Sequence, residues 1–112
     1  MTAHVRRGEI WWVDFDPAGG SEIRKTRPAI VVSNDIANAA LNRVQIVPLT
    51  SSTGRVYPSE AVVDAGGQES KAMADQLTTV SKERIKRRLG SLSRADMQAV
   101  DRVIKIQLGL PL

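Results

Sequence analysis

Apolar and polar positions first fall into a regular order in Glu9-Ile10-Trp11-Trp12-Val13-Asp14-Phe15-Asp16. Ile10, Trp12 and Asp14 lie on one side of an extended chain, and Trp11, Val13 and Phe15 on the other. β-Branched and aromatic residues dominate, which predicts a strand anchored on both faces. Residues 17–28 interrupt the pattern with Pro17, Gly19, Gly20 and the basic run Arg24-Lys25-Thr26-Arg27. They read as a polar loop of about ten residues, a length at which loops are often functional. Residues 29–33 predict a buried strand with Pro28 at its first position. Asn34-Asp35 can cap a short helix over 36–41. Residues 44–49 predict a strand that ends in the hydroxyl-rich turn 50–54, with Pro48 marking an edge or a bulge. Further strands are expected at 57–63, at 70–80 with polar interruptions, and at 89–92. Gly66-Gly67 marks a turn, and Ser81 with Arg84-Ile85 a single helical turn.

The last segment is the plainest helix. Ser93 suits the N-cap, and Asp96 sits at capping-box spacing. Met97, Val100, Ile104 and Leu108 then share one face, which Val103 widens. Gly109 and Pro111 end it. About six short strands with close turns and one covering helix predict a mainly β fold, a small barrel of short antiparallel strands with a C-terminal α-helix. The 112 residues fit a single domain, 1–112, with residues 1–6 as a frayed tail.

Composition narrows the chemistry. There is no Cys, which excludes disulfides, thiolate catalysis and cysteine-ligated metals. The one His, His4, lies in the expected tail, so no Ser-His-Asp triad, two-histidine ribonuclease or His-ligated metal is expected within one subunit. No signal peptide or membrane-spanning run is read, and the expected location is the cytoplasm. Lys and Arg total 16 against 12 Asp and Glu, a net charge of +4. That balance points to an anionic partner without naming one. The excess is concentrated in residues 82–88, where five cations stand beside one Glu, and a second cluster lies at 24–27. Two such clusters can converge on one phosphate-lined groove, although a basic run is as often a solvated face.

Arg27 stands between the basic loop and a buried strand. Its backbone is pinned there, and its guanidinium either forks onto a phosphate or, as is commoner for a lone arginine, serves as a structural or surface residue. Thr50 and Ser51 sit at a strand end, where hydroxyls either meet a substrate or simply form a turn. Asp75 and Gln76 interrupt a moderately apolar stretch. Asp14 and Asp16 share a strand face, which is weak evidence for a metal.

Three stretches together carry a resemblance: Arg7-Gly8-Glu9-Ile10-Trp11-Trp12-Val13-Asp14-Phe15, Gly20-Ser21-Glu22, and Thr26-Arg27-Pro28-Ala29-Ile30-Val31-Val32-Ser33-Asn34-Asp35. They are similar to the opening of the MazF/PemK (Kid) toxins. Val47-Pro48-Leu49-Thr50-Ser51, Tyr57-Pro58, Asp75-Gln76, Arg84-Ile85 and Leu89-Gly90 follow in the family's order, so the resemblance runs from about residue 6 to 110. It implies an SH3-like, CcdB-like barrel and a homodimer. It also implies a type II toxin that cuts single-stranded RNA at short base motifs without a metal or other cofactor. The products would be 2′,3′-cyclic phosphate and 5′-hydroxyl ends. An antitoxin with a flexible acidic C-terminal segment would occupy the RNA groove. By motif, the catalytic Arg falls on Arg27 and the catalytic Thr on Thr50. Gly20, Ser21 and Lys25 fall in the loop over RNA, with Ser51, Asp75 and Gln76 as further RNA contacts. Some PemK-type members carry an Arg two residues before the Asp-Gln pair and a His in the first loop. Here Met73 takes the first position and the loop has no His, which favours an Arg27/Thr50 mechanism over one centred on Asp75. The competing readings are a CcdB-like toxin that binds DNA gyrase and cuts nothing, and an RNA-binding-only member that represses its own operon.

Overall fold

The computed structural model describes residues 4–15 and 26–112. Among these, seven strands form one antiparallel sheet: β1 (Glu9–Asp14), β2 (Thr26–Val31), β3 (Arg43–Thr50), β4 (Glu60–Ala65), β5 (Gln68–Met73), β6 (Thr78–Ser81) and β7 (Ile85–Ser91). Helix α1 (Asp35–Ala40) joins β2 to β3, and α2 (Arg94–Leu108) closes the chain. The spatial order is β4-β5-β3-β2-β1-β7, with β6 also paired to β3. The sheet curls into a half-barrel, in keeping with the mainly β class expected.

β3 is the spine. One edge pairs with β2, Ala29 opposite Pro48 and Val31 opposite Ile46. The other edge pairs first with β6, from Arg43 to Ile46, and then with β5, from Leu49. Pro48 therefore lies in an interior strand, not at an edge as its missing N–H had suggested. It is tolerated because it falls in the gap between the two partners on that side. Alternation along β3 feeds two cores. Val47 and Leu49 join Ile10, Ile30, Val100 and Val103 beneath α2. Val44 and Ile46 join Val5, Val13, Ala29, Val31, Val80 and Ile85 on the other face.

Several expected boundaries move. The strand expected at 57–63 begins at Glu60, because Tyr57 accepts from the Glu60 N–H and turns the chain first. The strand expected at 70–80 is broken by a 3₁₀ turn, Ala74–Gln76, and the polar residues Asp75 and Gln76 occupy that turn. Gly66 and Gly67, at φ 62° and 92°, form the two-residue hairpin loop between β4 and β5, which needs positive φ at both positions. Residues 4–6, within the expected frayed tail, are tied down: Val5 is buried and the Arg6 N–H donates to Glu9 Oε1.

Both helices start as predicted. Asn34 Oδ1 accepts from the Ala37 N–H, and Ser93 Oγ from the Asp96 N–H. The capping box of α2 is only half used, because the Asp96 carboxylate accepts instead from the Asp64 N–H and staples the helix to β4. Gly109, in the left-handed region, ends α2 with bonds from Gly109 N–H to Ile106 O and from Leu110 N–H to Lys105 O, a Schellman closure. Val100 and Val103 are buried as expected, but Leu108 lies past the edge of the sheet and is 54% exposed. No described helix is long and apolar enough to cross a membrane.

Candidate active site

β1, β2, the end of β3 and the β4–β5 turn enclose a cleft of about 500 Å³. Arg27, Thr50 and Ser51 line it together, with Trp12, Pro28, Leu49 and Leu89 as its apolar wall. A second cavity of about 210 Å³ lies on the other side of Arg27, between Phe15, Pro48 and Gln76. Arg27 is thus the residue common to both hollows.

The strand register explains this position. Arg27 pairs with Val13, and the next positions inward, Pro28 and Ala29, pair with Trp12 and Trp11. The backbone is held on its β1 side and carries on into the core, while the half-buried side chain stays at the rim. Among the described residues Arg27 makes no ion pair and no side-chain hydrogen bond. A partly desolvated guanidinium without a partner has all five donors available to an anion.

Thr50, at the last position of β3, is half-buried, and its Oγ1 accepts from the Ser52 N–H at 3.2 Å. This is the turn-forming role that strand-end hydroxyls often take. It also fixes the hydroxyl oxygen and leaves its hydrogen as the free donor. Ser51 is exposed beside it. The segment after Thr50 is pinned from below by Lys71, the cross-strand partner of Thr50. Lys71 Nζ lies 3.1 Å from Glu60 Oε1 and donates to Arg55 O at 2.7 Å.

The other expected site residues divide. Gln76 lies in the second cavity, where its Nε2 is 3.5 Å from Met73 Sδ. Asp75 is exposed and lines neither hollow. Gly20, Ser21 and Lys25 lie outside the described residues.

The basic run 82–88 does not form one solvated face. Lys82 is buried, Arg84 donates to Asp14 O, and Arg88 pairs with Glu9. Arg87, an exposed cation of the run, lies opposite Trp12 in the β1–β7 register.

Three residues of the cleft escaped the sequence reading. Trp12 read as a strand anchor, yet it lines the cleft with its indole N–H buried and unpartnered. Gly66 read only as a turn. A Cβ there would lie 3.2 Å from Leu89 Cγ, so the glycine also lets the β4–β5 turn close against the cleft wall. Gln68 carried no signal, since it is brought to the cleft solely by the hairpin register.

The chain matches the family of PemK-like, MazF-like toxins of type II toxin–antitoxin systems over residues 6–108. Endoribonuclease MazF9 of Mycobacterium tuberculosis is 44% identical over 115 residues, covering 95% of this chain and 98% of that protein. An endoribonuclease from a mycobacterial species, solved in complex with its cognate antitoxin, superposes with a TM-score of 0.81 at 25% identity, covering 96% of this chain and 98% of that one. A further mycobacterial endoribonuclease structure, at 24% identity, gives a TM-score of 0.83 over 100% of this chain and 98% of its own, a likeness of fold. The chain belongs to the PemK-like, MazF-like toxin family of type II toxin–antitoxin systems.

Proposed function

We propose that this protein is the endoribonuclease toxin of a type II toxin–antitoxin pair and that it cuts single-stranded RNA at the Arg27/Thr50 cleft without a metal. The observation that carries the reading is the Arg27 guanidinium, unpaired among the described residues, sharing one cleft with the Thr50 hydroxyl. The relatedness to endoribonucleases over nearly the whole chain supports the same activity.

RNA supplies its own nucleophile. The 2′-oxygen attacks the adjacent phosphorus, the P–O5′ bond breaks, and a 2′,3′-cyclic phosphate and a 5′-hydroxyl remain. The 2′-hydroxyl proton leaves as the O–P bond forms, and the 5′-oxygen takes up one proton. The protein's work is then to orient the sugar–phosphate and stabilise charge on the phosphorane. Arg27 supplies donors to the non-bridging oxygens, and the free Thr50 hydroxyl hydrogen a further one. A guanidinium gives up its proton only above about pH 12, so charge stabilisation is the role its chemistry favours. Cleavage by Arg27→Lys that recovers at high pH would instead assign it proton transfer. Ser51 and Gln76 flank the reacting phosphate as RNA contacts. Gly20, Ser21, Lys25 and Asp75 complete the binding surface in this reading.

The partner is an antitoxin whose acidic, flexible C-terminal segment competes for the same cleft and its Arg27 guanidinium. A second copy of the chain completes a homodimer; the apolar residues Leu108, Leu110 and Leu112, each more than half exposed, are surface that such association would cover.

The test is cleavage of a long RNA in EDTA by wild type, Arg27→Ala and Thr50→Ala, with 5′ ends mapped. Discrete EDTA-resistant cuts that both substitutions abolish are expected. No cutting by folded wild-type protein would overturn the nuclease reading in favour of a gyrase-binding toxin.

A further inference from the structure

Lys82 is the most deeply buried cation of the basic run, at 8% exposure, and the cleft does not use it. It opens the 3₁₀ turn Lys82–Arg84 between β6 and β7. Its backbone N–H donates to Asn42 O at 2.9 Å, and its Nζ donates to Asn38 O in the last turn of α1. Both ends of the residue are therefore held. A lysine usually extends its ammonium into water, and one that is buried is normally paired with a carboxylate. Among the described residues Lys82 has no such pair. One carbonyl occupies one of its three N–H donors.

Lys82 lines a cavity of about 270 Å³ with His4, Arg6, Asp35 and Asn38. The Arg6 side chain is exposed, with no ion pair among the described residues. Asn38 has spent its amide donors on Ser33 O and Asp35 Oδ1. Asp35 is the one carboxylate in the wall, and it is engaged by the Arg7 N–H at 2.7 Å and by Asn38. Two cations thus face a hollow with donors unspent, one of them buried where a charge–charge contact is least screened.

We propose that this cavity is a phosphate-binding site, with Lys82 as its fixed donor and Arg6 as its mobile one. It shares no lining residue with the Arg27/Thr50 cleft. Asn42, which Lys82 touches, precedes the first residue of β3, and Thr50 is the last. At about 3.3 Å per residue, the distance from Asn42 to Thr50 places the two sites roughly 26 Å apart along the strand. A phosphate there comes either from a free phosphate or from the backbone of an RNA strand that crosses the protein surface from the Thr50 cleft to this cavity. Because Lys82 and Arg6 carry the argument, the site stands whether or not the protein cuts RNA.

The test is amide NMR of the full chain at constant ionic strength, with three probes. These are inorganic phosphate, a 2′-O-methyl oligoribonucleotide short enough to fill only the Thr50 cleft, and one long enough to span β3. Saturable shifts with phosphate at the amides of Arg6, residues 38–42 and residues 82–83 are expected. Lys82→Met should weaken phosphate about tenfold, the loss of one charge-assisted hydrogen bond. Arg6→Ala, at an exposed side chain that cannot unfold the barrel, should weaken it several-fold. Shifts from the long but not the short oligonucleotide at the same amides assign the RNA backbone as source; a response to inorganic phosphate alone assigns the free ion. No saturable response to any probe, or a phosphate response unchanged in both variants, would overturn the proposal.

Discussion

Lys71→Met removes the cation that holds residues 51–59 under the cleft. Lys71 and Glu60 are both nearly buried, with side chains 11% and 10% exposed, and their charges lie 3.1 Å apart. The ammonium also donates to Arg55 O, and the Tyr57 N–H donates to Glu60 at 2.8 Å. The Tyr57 ring lies 5.2 Å from the Arg55 guanidinium carbon and 6.0 Å from Lys71 Nζ, so one charge pair organises the whole turn. Removing one partner of a buried pair leaves the other charge uncompensated and costs about 3–5 kcal/mol. Glu60 keeps the Tyr57 N–H, which places the expected loss near the lower figure, about 3 kcal/mol. Against a total stability of roughly 5–15 kcal/mol that is a large fraction. Urea unfolding should show a lower midpoint with an unchanged slope, and thermal unfolding should fall by about 10 °C or more. The double variant Glu60→Gln/Lys71→Met should recover most of the loss, because it removes both charges of the buried pair and keeps an acceptor for the Tyr57 N–H. A single-variant loss under about 1 kcal/mol, or a double variant that loses the sum of both singles, would refute this account of the turn.

Thr50→Ala should lower kcat by about 10²–10³ with little change in RNA affinity, as expected when one oriented donor to the transition state is lost, and single-turnover cleavage measures it. Arg27→Ala should lose more, since it removes charge as well as donors, and binding of uncleavable RNA should weaken with it. The Asp35 carboxyl is held below its ordinary pKa, first by the Arg7 N–H, then by Asn38, with the Arg6 and Arg7 charges adding to this. Its stabilising contribution is therefore complete above the ordinary carboxylate range and is lost as pH falls through the lower folded value. Asp35→Asn should flatten the acid limb of stability against pH, and an unchanged limb would contradict the assignment. Gly66→Ala should cost about 1–2 kcal/mol from its positive φ alone, with the 3.2 Å approach to Leu89 adding to it, as read by urea unfolding.

Much of the fold was legible because local signals and burial agreed. Residues 9–14 show strand alternation and do build β1, and the Asn34 and Ser93 caps start α1 and α2 where the chain says they should. Reading failed where tertiary partners outweighed local pattern. Pro48 sits mid-sheet because two different strands share that edge of β3, a fact no local window contains. Asp96 abandons its capping-box bond for the Asp64 N–H, and Leu108 belongs by period to a buried face that the sheet does not reach. At the candidate site, Arg27, Thr50 and Ser51 line one cleft, and Asp75 stands outside both hollows. Trp12, Gly66 and Gln68 became cleft residues only through pairing.

The order of motifs determined the family, because an Arg-Pro opening to an apolar strand and a Leu-Thr-Ser strand end are chemical statements readable in one dimension. Composition determined which catalytic groups were absent from the chain. Whether a cation is paired, spent or free is not a property of sequence. Within residues 82–88 one lysine is buried with no carboxylate partner among the described residues, one arginine is bound to Glu9, and Arg87 stands in solvent opposite Trp12. Strand register decided the fates of Arg87 and Arg88, since a shift of one residue would turn each side chain to the other face, and the 3₁₀ turn between β6 and β7 decided that of Lys82.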